Sequence, residues 1–275
     1  NAKGPTGLTP LQEAISQGNK DMAELLLAKG ANINAKDPKG NTPLEAAVSR
    51  GYKDLTEMLL AKGVDVNVKD KHGNTLLQTT VSNGNKDMAE LLIAKGADVN
   101  ARDSTGYTPL EHAVSRRSKD MMELLIAKGA DLSAKDSRGN TLLHNAAVSR
   151  GNKDMVELLI AKGADVNATN SSGDTPLQTA VSRGNKDVVE LLIAKGADVN
   201  IKDSSGNTLL QVVVSRGGGK DVAELLIAKG ADINAKDSRG GTPLHNAVVS
   251  RGNKDVAKLL IAKGADVNAV DVSGK

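Results

Sequence analysis

Residues 175–181 read Thr-Pro-Leu-Gln-Thr-Ala-Val, and residues 190–200 read Glu-Leu-Leu-Ile-Ala-Lys-Gly-Ala-Asp-Val-Asn. Close copies of both stretches recur along the whole chain. Each copy is preceded by a turn glycine, at Gly7, Gly40, Gly73, Gly106, Gly139, Gly173, Gly206, Gly240 and Gly274, so the intervals are 33 or 34 residues. A fixed period of this size marks one supersecondary unit copied many times. The boundaries fall at 4–36, 37–69, 70–102, 103–135, 136–169, 170–202, 203–236 and 237–270, eight copies within a single domain spanning 1–275.

The local signals within a copy predict two helices. Thr42 is suited to an N-cap and Pro43 to the first helical position, where its missing N–H costs nothing. The first helix is predicted over Pro43–Arg50, stopped by Gly51, which can take the left-handed conformation past a helix end. Asp54 sits at the start of the second helix, where a carboxylate complements the positive dipole end. Leu55, Met58, Leu59 and Leu60 recur at helical spacing as its buried face, and Gly63 ends it. One unit cannot stand alone. Ordering a residue costs about 1–2 kcal/mol of backbone entropy, whereas burying a Leu or Ile returns about 1.5–3 kcal/mol. Each helix pair must therefore pack on its neighbours, giving a stack stabilised by nearest-neighbour contacts.

Composition agrees. The chain has no Phe, Trp or Cys and only two aromatic residues, Tyr52 and Tyr107. A single core of 275 residues without large rings is improbable, whereas thin layers joined through Ala, Val, Ile and Leu do not need them. The absence of Cys excludes disulfides, thiolate metal sites and a cysteine nucleophile. Apolar runs such as Leu25–Ala28 are far shorter than a membrane span. No signal-peptide pattern opens the chain, and Asn at residue 1 reads as a processed or recombinant fragment. Together with the missing Cys, this favours a cytoplasmic location.

The quoted stretches and their period resemble the ankyrin repeat family over essentially the whole chain. The resemblance implies an all-α solenoid of stacked helix-turn-helix units with projecting hairpin-like turns. It also implies a concave binding face built from turn tips and first helices. Several positions depart from the family pattern. The His that usually follows Thr-Pro-Leu survives only at His144 and His245; Gln12, Gln78, Gln178 and Gln211, or Glu45 and Glu111, replace it. Gln can keep a polar contact to the turn backbone, which is less assured for Glu. Leu76, Leu142 and Leu209 replace Pro. Local irregularity is expected at the extra residues near Ala147–Ser149, Gly217–Gly219 and Val248–Ser250. It is also expected at Arg117-Ser118, which stands where Gly-Asn is the rule and forces a non-glycine residue into an awkward turn or a different loop. Repeats one and eight are as apolar as the interior units. Ala2-Lys3 and Asp271–Gly274 look like parts of further repeats, so the array is cut from a longer one or its ends find partners.

No catalytic constellation is present. His144 and His245 occupy equivalent positions three repeats apart, about 30 Å at a layer spacing of roughly 10 Å. His72 and His112 lie in a turn and in the following first helix, so a shared metal site is not expected. The Asp- and Asn-rich turns depart from the EF-hand spacing. Gly217-Gly218-Gly219-Lys220 lacks the Ser or Thr and the preceding strand of a phosphate loop. Asn167-Ala168-Thr169 and Asn170-Ser171-Ser172 match glycosylation acceptors only as products of an Asn-rich turn. No cofactor and no enzymatic activity are expected.

The formal charge is only +3, but the basic residues form columns. Arg50, Arg116, Arg150, Arg183, Arg216 and Arg251 close the first helices, with Gln17 and Asn83 as breaks. Lys36, Lys69, Arg102, Lys135, Lys202 and Lys236 precede the turns, interrupted by Thr169. Lys39, Lys71, Arg138 and Arg239 sit at turn tips, Tyr107 projects from the fourth turn, and Glu57, Glu90, Glu157 and Glu190 fall on second helices. The reading is a protein-interaction scaffold for an acidic or phosphorylated segment, which arginine forks suit. Nucleic acid is the weaker case without stacking aromatics. Helix dipoles and duplication would yield the same column without any ligand, so a structural spacer within a longer array, or an engineered scaffold, stays open.

Overall fold

The computed structural model describes residues 4, 6–148, 152–216, 219–250, 253–272 and 274. They form two compact units, 1–131 and 132–275. In the first unit, four helix pairs follow one another. These are α1 (Pro10–Ser16) and α2 (Lys20–Ala28), α3 (Pro43–Ser49) and α4 (Lys53–Ala61), α5 (Leu76–Asn83) and α6 (Lys86–Ala94), and α7 (Pro109–Ser115) and α8 (Lys119–Ala127). The second unit repeats the scheme with α9 (Leu142–Val148) and α10 (Lys153–Ala161), α11 (Pro176–Ser182) and α12 (Lys186–Ala194), α13 (Leu209–Ser215) and α14 (Lys220–Ala228), and α15 (Pro243–Val249) and α16 (Lys254–Ala262). Among the described residues the remaining regular structure is two isolated bridges, Lys69 with Thr75 and Lys202 with Thr208.

Within each unit, first helices pack on first helices and second helices on second helices. Thus α1, α3, α5 and α7 form one row and α2, α4, α6 and α8 another, with α9 to α16 arranged alike in the second unit. The interior is aliphatic: Leu44, Leu59, Leu77 and Leu92 in the first unit and Leu159, Leu177, Leu192 and Leu210 in the second are fully buried. Each layer is two helices thick, and small aliphatic side chains fill it without rings.

The first helices are shorter than the sequence suggests. Pro43–Ser49 is helical and Arg50 is the residue past its end, with Gly51 following at φ 74°. Threonine caps operate as expected, and they do so within a fuller motif. Thr42 accepts from the Glu45 N–H while the Glu45 carboxylate accepts from the Thr42 N–H, a reciprocal capping box. The same box recurs with Gln at the third helical position in α1, α5, α11 and α13, with Glu in α7 and with His in α15. The residue that varies in the family motif therefore satisfies the helix start whether it is Gln, Glu or His.

Gln and His do a second job that Glu cannot. Gln78 donates its Nε2 to the carbonyls of Tyr107 at 2.8 Å and Ala101 at 3.0 Å, in the next turn. Gln211 donates to the Gly241 carbonyl at 2.7 Å. At His144, Nδ1 accepts from the Thr141 N–H at 3.1 Å, so the proton is on Nε2, which donates to the Asp174 carbonyl at 2.8 Å. Burial pushes the His144 ring below its ordinary value, which favours this neutral tautomer. Glu111 lacks a donor, and its Oε1 is buried with no hydrogen-bond partner among the described residues.

An asparagine ladder joins layers at the opposite end of each pair. Asn67 donates to the Gly96 carbonyl at 3.2 Å and accepts from the Asp98 N–H at 2.8 Å. Asn100, Asn167, Asn200 and Asn234 make the same two bonds to the repeat that follows each. Each Asn thus pairs a carbonyl left by a helix end with the first N–H of the next loop.

The expected irregularities are partly visible. Arg117 is the one non-glycine residue with positive φ among the described residues, at 56°, so the turn keeps its left-handed shape despite the side chain. In repeat seven Gly219 starts α14 at φ 89°. After α15, Ser250 leaves the helix in an extended conformation instead of continuing it. Ser149, Gly217 and Gly218 lie outside the described residues, as do Ala2, Lys3 and Ser273 at the ends.

Candidate functional site

The basic residues singled out in the sequence lie at two levels of each repeat. Arg50 and Arg116 in the first unit and Arg183 and Arg216 in the second are the residues immediately past first helices, and all are exposed. That position places a cation beside the unpaired carbonyls of a helix end. Arg150 and Arg251 lie outside the described residues. Lys36, Lys69, Arg102, Lys135, Lys202 and Lys236 precede the turns and are exposed as well. Among the described residues no carboxylate pairs with Arg50, Arg116 or Arg183.

Several members of these columns also serve the fold. Lys69 donates Nζ to the Arg102 carbonyl at 2.8 Å, Lys135 to the Thr169 carbonyl at 2.8 Å and Lys202 to the Lys236 carbonyl at 3.0 Å. Each lysine therefore reaches one repeat forward. Arg216 reaches back, with Nη1 on the Ser182 carbonyl at 2.7 Å. Arg102 bonds the Gly106 carbonyl of its own turn at 2.6 Å. An ammonium or guanidinium with one donor on a carbonyl keeps its charge and its other donors.

The fourth turn has its own chemistry. In the turns of repeats two, three, five and seven, the Asn immediately before the capping Thr returns its side-chain N–H to the turn aspartate, as Asn41 does to Asp37 at 3.2 Å. Tyr107 occupies that position in repeat four and cannot do so. His112, from α7, supplies the missing donor, with Nε2 2.8 Å from Asp103 Oδ2. The Tyr107 and His112 rings lie 6.2 Å apart. Tyr107 is left 39% exposed beside the Asp103–His112 pair, which places the described aromatic of the turns at the surface. Burial alone would push the Asp103 carboxyl up, but hydrogen bonds from Thr105, His112 and Tyr107 outweigh it and hold it below the ordinary value. Asp37 and Asp136 are lowered for the same reasons, with Asn41 and Asn140 as the main donors.

The surface is not uniformly basic. Repeat six exchanges the usual turn pair, carrying Asn170 and Asp174 where Asp and Asn stand elsewhere. Asn170 Oδ1 accepts from the Asp174 N–H, and its Nδ2 donates to Asn140 Oδ1 at 3.0 Å. The Asp174 carboxylate lines a cavity of about 320 Å³ with Asp203, Gln178, Ser182, Ser215 and Arg216. The column reading missed these acids; the signal was the reversed Asn–Asp order in one turn. Glu57, Glu90, Glu157 and Glu190 are exposed on α4, α6, α10 and α12, as expected, and Glu157 pairs with Lys195 at 3.9 Å. Among the described residues no group of three His, Asp or Glu side chains is placed to hold a metal ion. No helix among them is long and apolar enough to cross a membrane.

A family model described as ankyrin repeats (3 copies) matches residues 1–70, 62–136, 133–203 and 196–271. The chain belongs to the ankyrin repeat family. Among solved structures, this ankyrin repeat chain is similar to the ankyrin repeat domain of Bcl-3, described as a member of the IkappaB protein family. The two share 29% identity with a TM-score of 0.72, over 80% of this chain and 99% of that one. No curated protein sequence matches the chain. Ankyrin repeats generally mediate protein–protein interaction and are typically non-enzymatic.

Proposed function

We propose that this ankyrin repeat protein is a non-enzymatic scaffold that binds an acidic protein segment along its first-helix ends and turn tips. The observation that supports the reading is the set of exposed cations Arg50, Arg116 and Arg183, to which no carboxylate of the described residues is paired. A guanidinium in that position has its fork available to a carboxylate or phosphate of a partner. Tyr107, exposed and flanked by Arg102, supplies an aromatic anchor of the kind that dominates interface energetics. The span 1–275 as one binding domain is part of this proposal. So is the assignment of Lys36, Lys69, Lys135, Lys202 and Lys236 to the binding surface in addition to their bonds to neighbouring carbonyls.

A structural spacer is the second reading, supported by the lysines and Arg216 that bridge layers. Titration of the chain into a fluorescein-labelled polyglutamate 20-mer, followed by anisotropy, separates the two. Saturable binding that weakens with salt supports the scaffold, because exposed charge pairs are screened. No binding at low salt supports the spacer. Retention on heparin tests polyanion binding, which would show a steep logarithmic salt dependence.

A further inference from the structure

Among the glutamines that close capping boxes, Gln178 departs from the rest. Gln12, Gln78 and Gln211 each donate Nε2 to a backbone carbonyl further along the chain, those of Ala35, Tyr107 and Gly241, at 2.7, 2.8 and 2.7 Å. Gln178 Oε1 accepts from the Thr175 N–H at 2.7 Å, but its Nε2 donates to nothing among the described residues. The side chain is nevertheless only 7% exposed. It lines the cavity of about 320 Å³ shared with Asp174, Asp203 and Arg216, all within the second unit. A buried donor in this state is destabilising, and an acceptor entering the cavity would satisfy it.

Asp174 is open in the opposite sense. It stands where repeats two, three, five and seven carry Asn41, Asn74, Asn140 and Asn207, whose side chains return to the turn aspartate. Asn170 holds the aspartate position here. Among the described residues the Asp174 carboxylate accepts no hydrogen bond and pairs with no cation. Asp203 uses Oδ1 for the Ser205 and Asn207 N–H groups, while Oδ2 has a single contact, Asn207 Nδ2 at 3.1 Å. The Arg216 guanidinium is committed through Nη1 to the Ser182 carbonyl at 2.7 Å. Two carboxylates against one guanidinium favour a cation and repel an anion.

We propose that this cavity is a subsite for one basic side chain of a protein partner. Asp174 and Asp203 take its cationic head, and Gln178 Nε2 donates to a carbonyl of the same segment. The size agrees: ligand pockets begin at about 300 Å³, so the cavity has room for a single long side chain and little more. Arginine suits it best, because its planar fork presents several donors at once to paired carboxylates. The subsite is independent of the acidic-segment reading, being built from other residues, and it assigns one positive charge to the segment lying over repeats six and seven.

The test titrates the peptide acetyl-Ala-Ala-Arg-Ala-Ala-amide into the full, isotope-labelled chain and follows its amide resonances. Saturable shifts centred on Asp174, Asp203 and the Gln178 side-chain amide are expected. The citrulline analogue keeps the shape of arginine without its charge, and it is expected to bind about fivefold more weakly. Asp174→Asn is expected to weaken the arginine peptide by a similar factor. Four other repeats carry Asn at this position, and circular dichroism verifies that the helices persist. The citrulline comparison uses the unaltered chain, so it decides the charge requirement whatever the stability of the variant. Absence of arginine-peptide binding at millimolar concentration would overturn the inference. So would equal binding of the citrulline analogue, or an affinity that Asp174→Asn leaves unchanged. Preferential binding of a glutamate analogue, with shifts at Arg216, would overturn it too and assign the cavity to an anion.

Discussion

Replacing Gln211 by Glu keeps the shape of a fully buried side chain and removes its amide N–H donors. Gln211 Oε1 accepts from the Thr208 N–H at 2.8 Å, a bond that Glu retains. Its Nε2 donates to Gly241 at 2.7 Å and Ala235 at 3.5 Å, and Glu would instead face these carbonyls with a second oxygen. The loss is one net hydrogen bond of about 1 kcal/mol, plus about 1–3 kcal/mol for each buried polar group left unpaired. A total of about 3–7 kcal/mol follows. With a urea slope on the order of 2–3 kcal/mol per molar, the midpoint at pH 7 falls by roughly 1–3.5 M. Repeat arrays need not unfold in one step, so amide exchange in repeats seven and eight should localise the loss there. Acid has a definite sign: the charged form is disfavoured in the folded state, so protonation restores an O–H donor and the gap to the parent narrows as pH falls. A midpoint within about 0.3 M of the parent at pH 7 would refute the role assigned to this side chain.

Three further substitutions test individual features. Thr80→Val removes a hydroxyl that is buried without a partner among the described residues, at a position where repeat seven already has Val213, and should raise stability by about 1 kcal/mol in urea titration. Arg117→Gly relieves a left-handed backbone at φ 56° and should stabilise by about 1 kcal/mol, seen as a higher melting temperature. His144 is held neutral by burial, with its folded value below the ordinary 6.5. Its contribution is therefore complete above about pH 6.5 and is lost as pH falls toward the folded value. His144→Gln should match the parent at pH 7.5 and lose less stability on acidification to about pH 5.5.

The period, the Thr caps and the apolar faces were legible because each is a local rule repeated eight times. Arg117 was legible for the same reason, as a break in an otherwise regular glycine position. What could not be read was where side chains spend their hydrogen bonds across layers. Gln78 and Asn67 each reach about thirty residues along the chain, and nothing local distinguishes them from exposed polar residues. The described members of the basic columns are exposed, but the bonds of Lys69, Lys135, Lys202 and Arg216 to neighbouring carbonyls depend on the stacking distance. The Asp103–His112 pair had a sequence signal, since Tyr107 breaks the Asn pattern in the repeat where His112 appears. Repeated sequences hide such exchanges, because attention goes to the consensus and function gathers at its exceptions.

The most direct measurement is the affinity of the polyglutamate 20-mer for the chain carrying Arg50→Ala, Arg116→Ala and Arg183→Ala together, read by anisotropy at low salt. These three arginines are exposed and bond no described carboxylate, so the helices should persist. At about 0.5–1 kcal/mol for each exposed charge contact, the account predicts roughly ten- to hundredfold weaker binding. Binding equal to that of the parent would contradict the claim that these helix ends recognise an acidic partner.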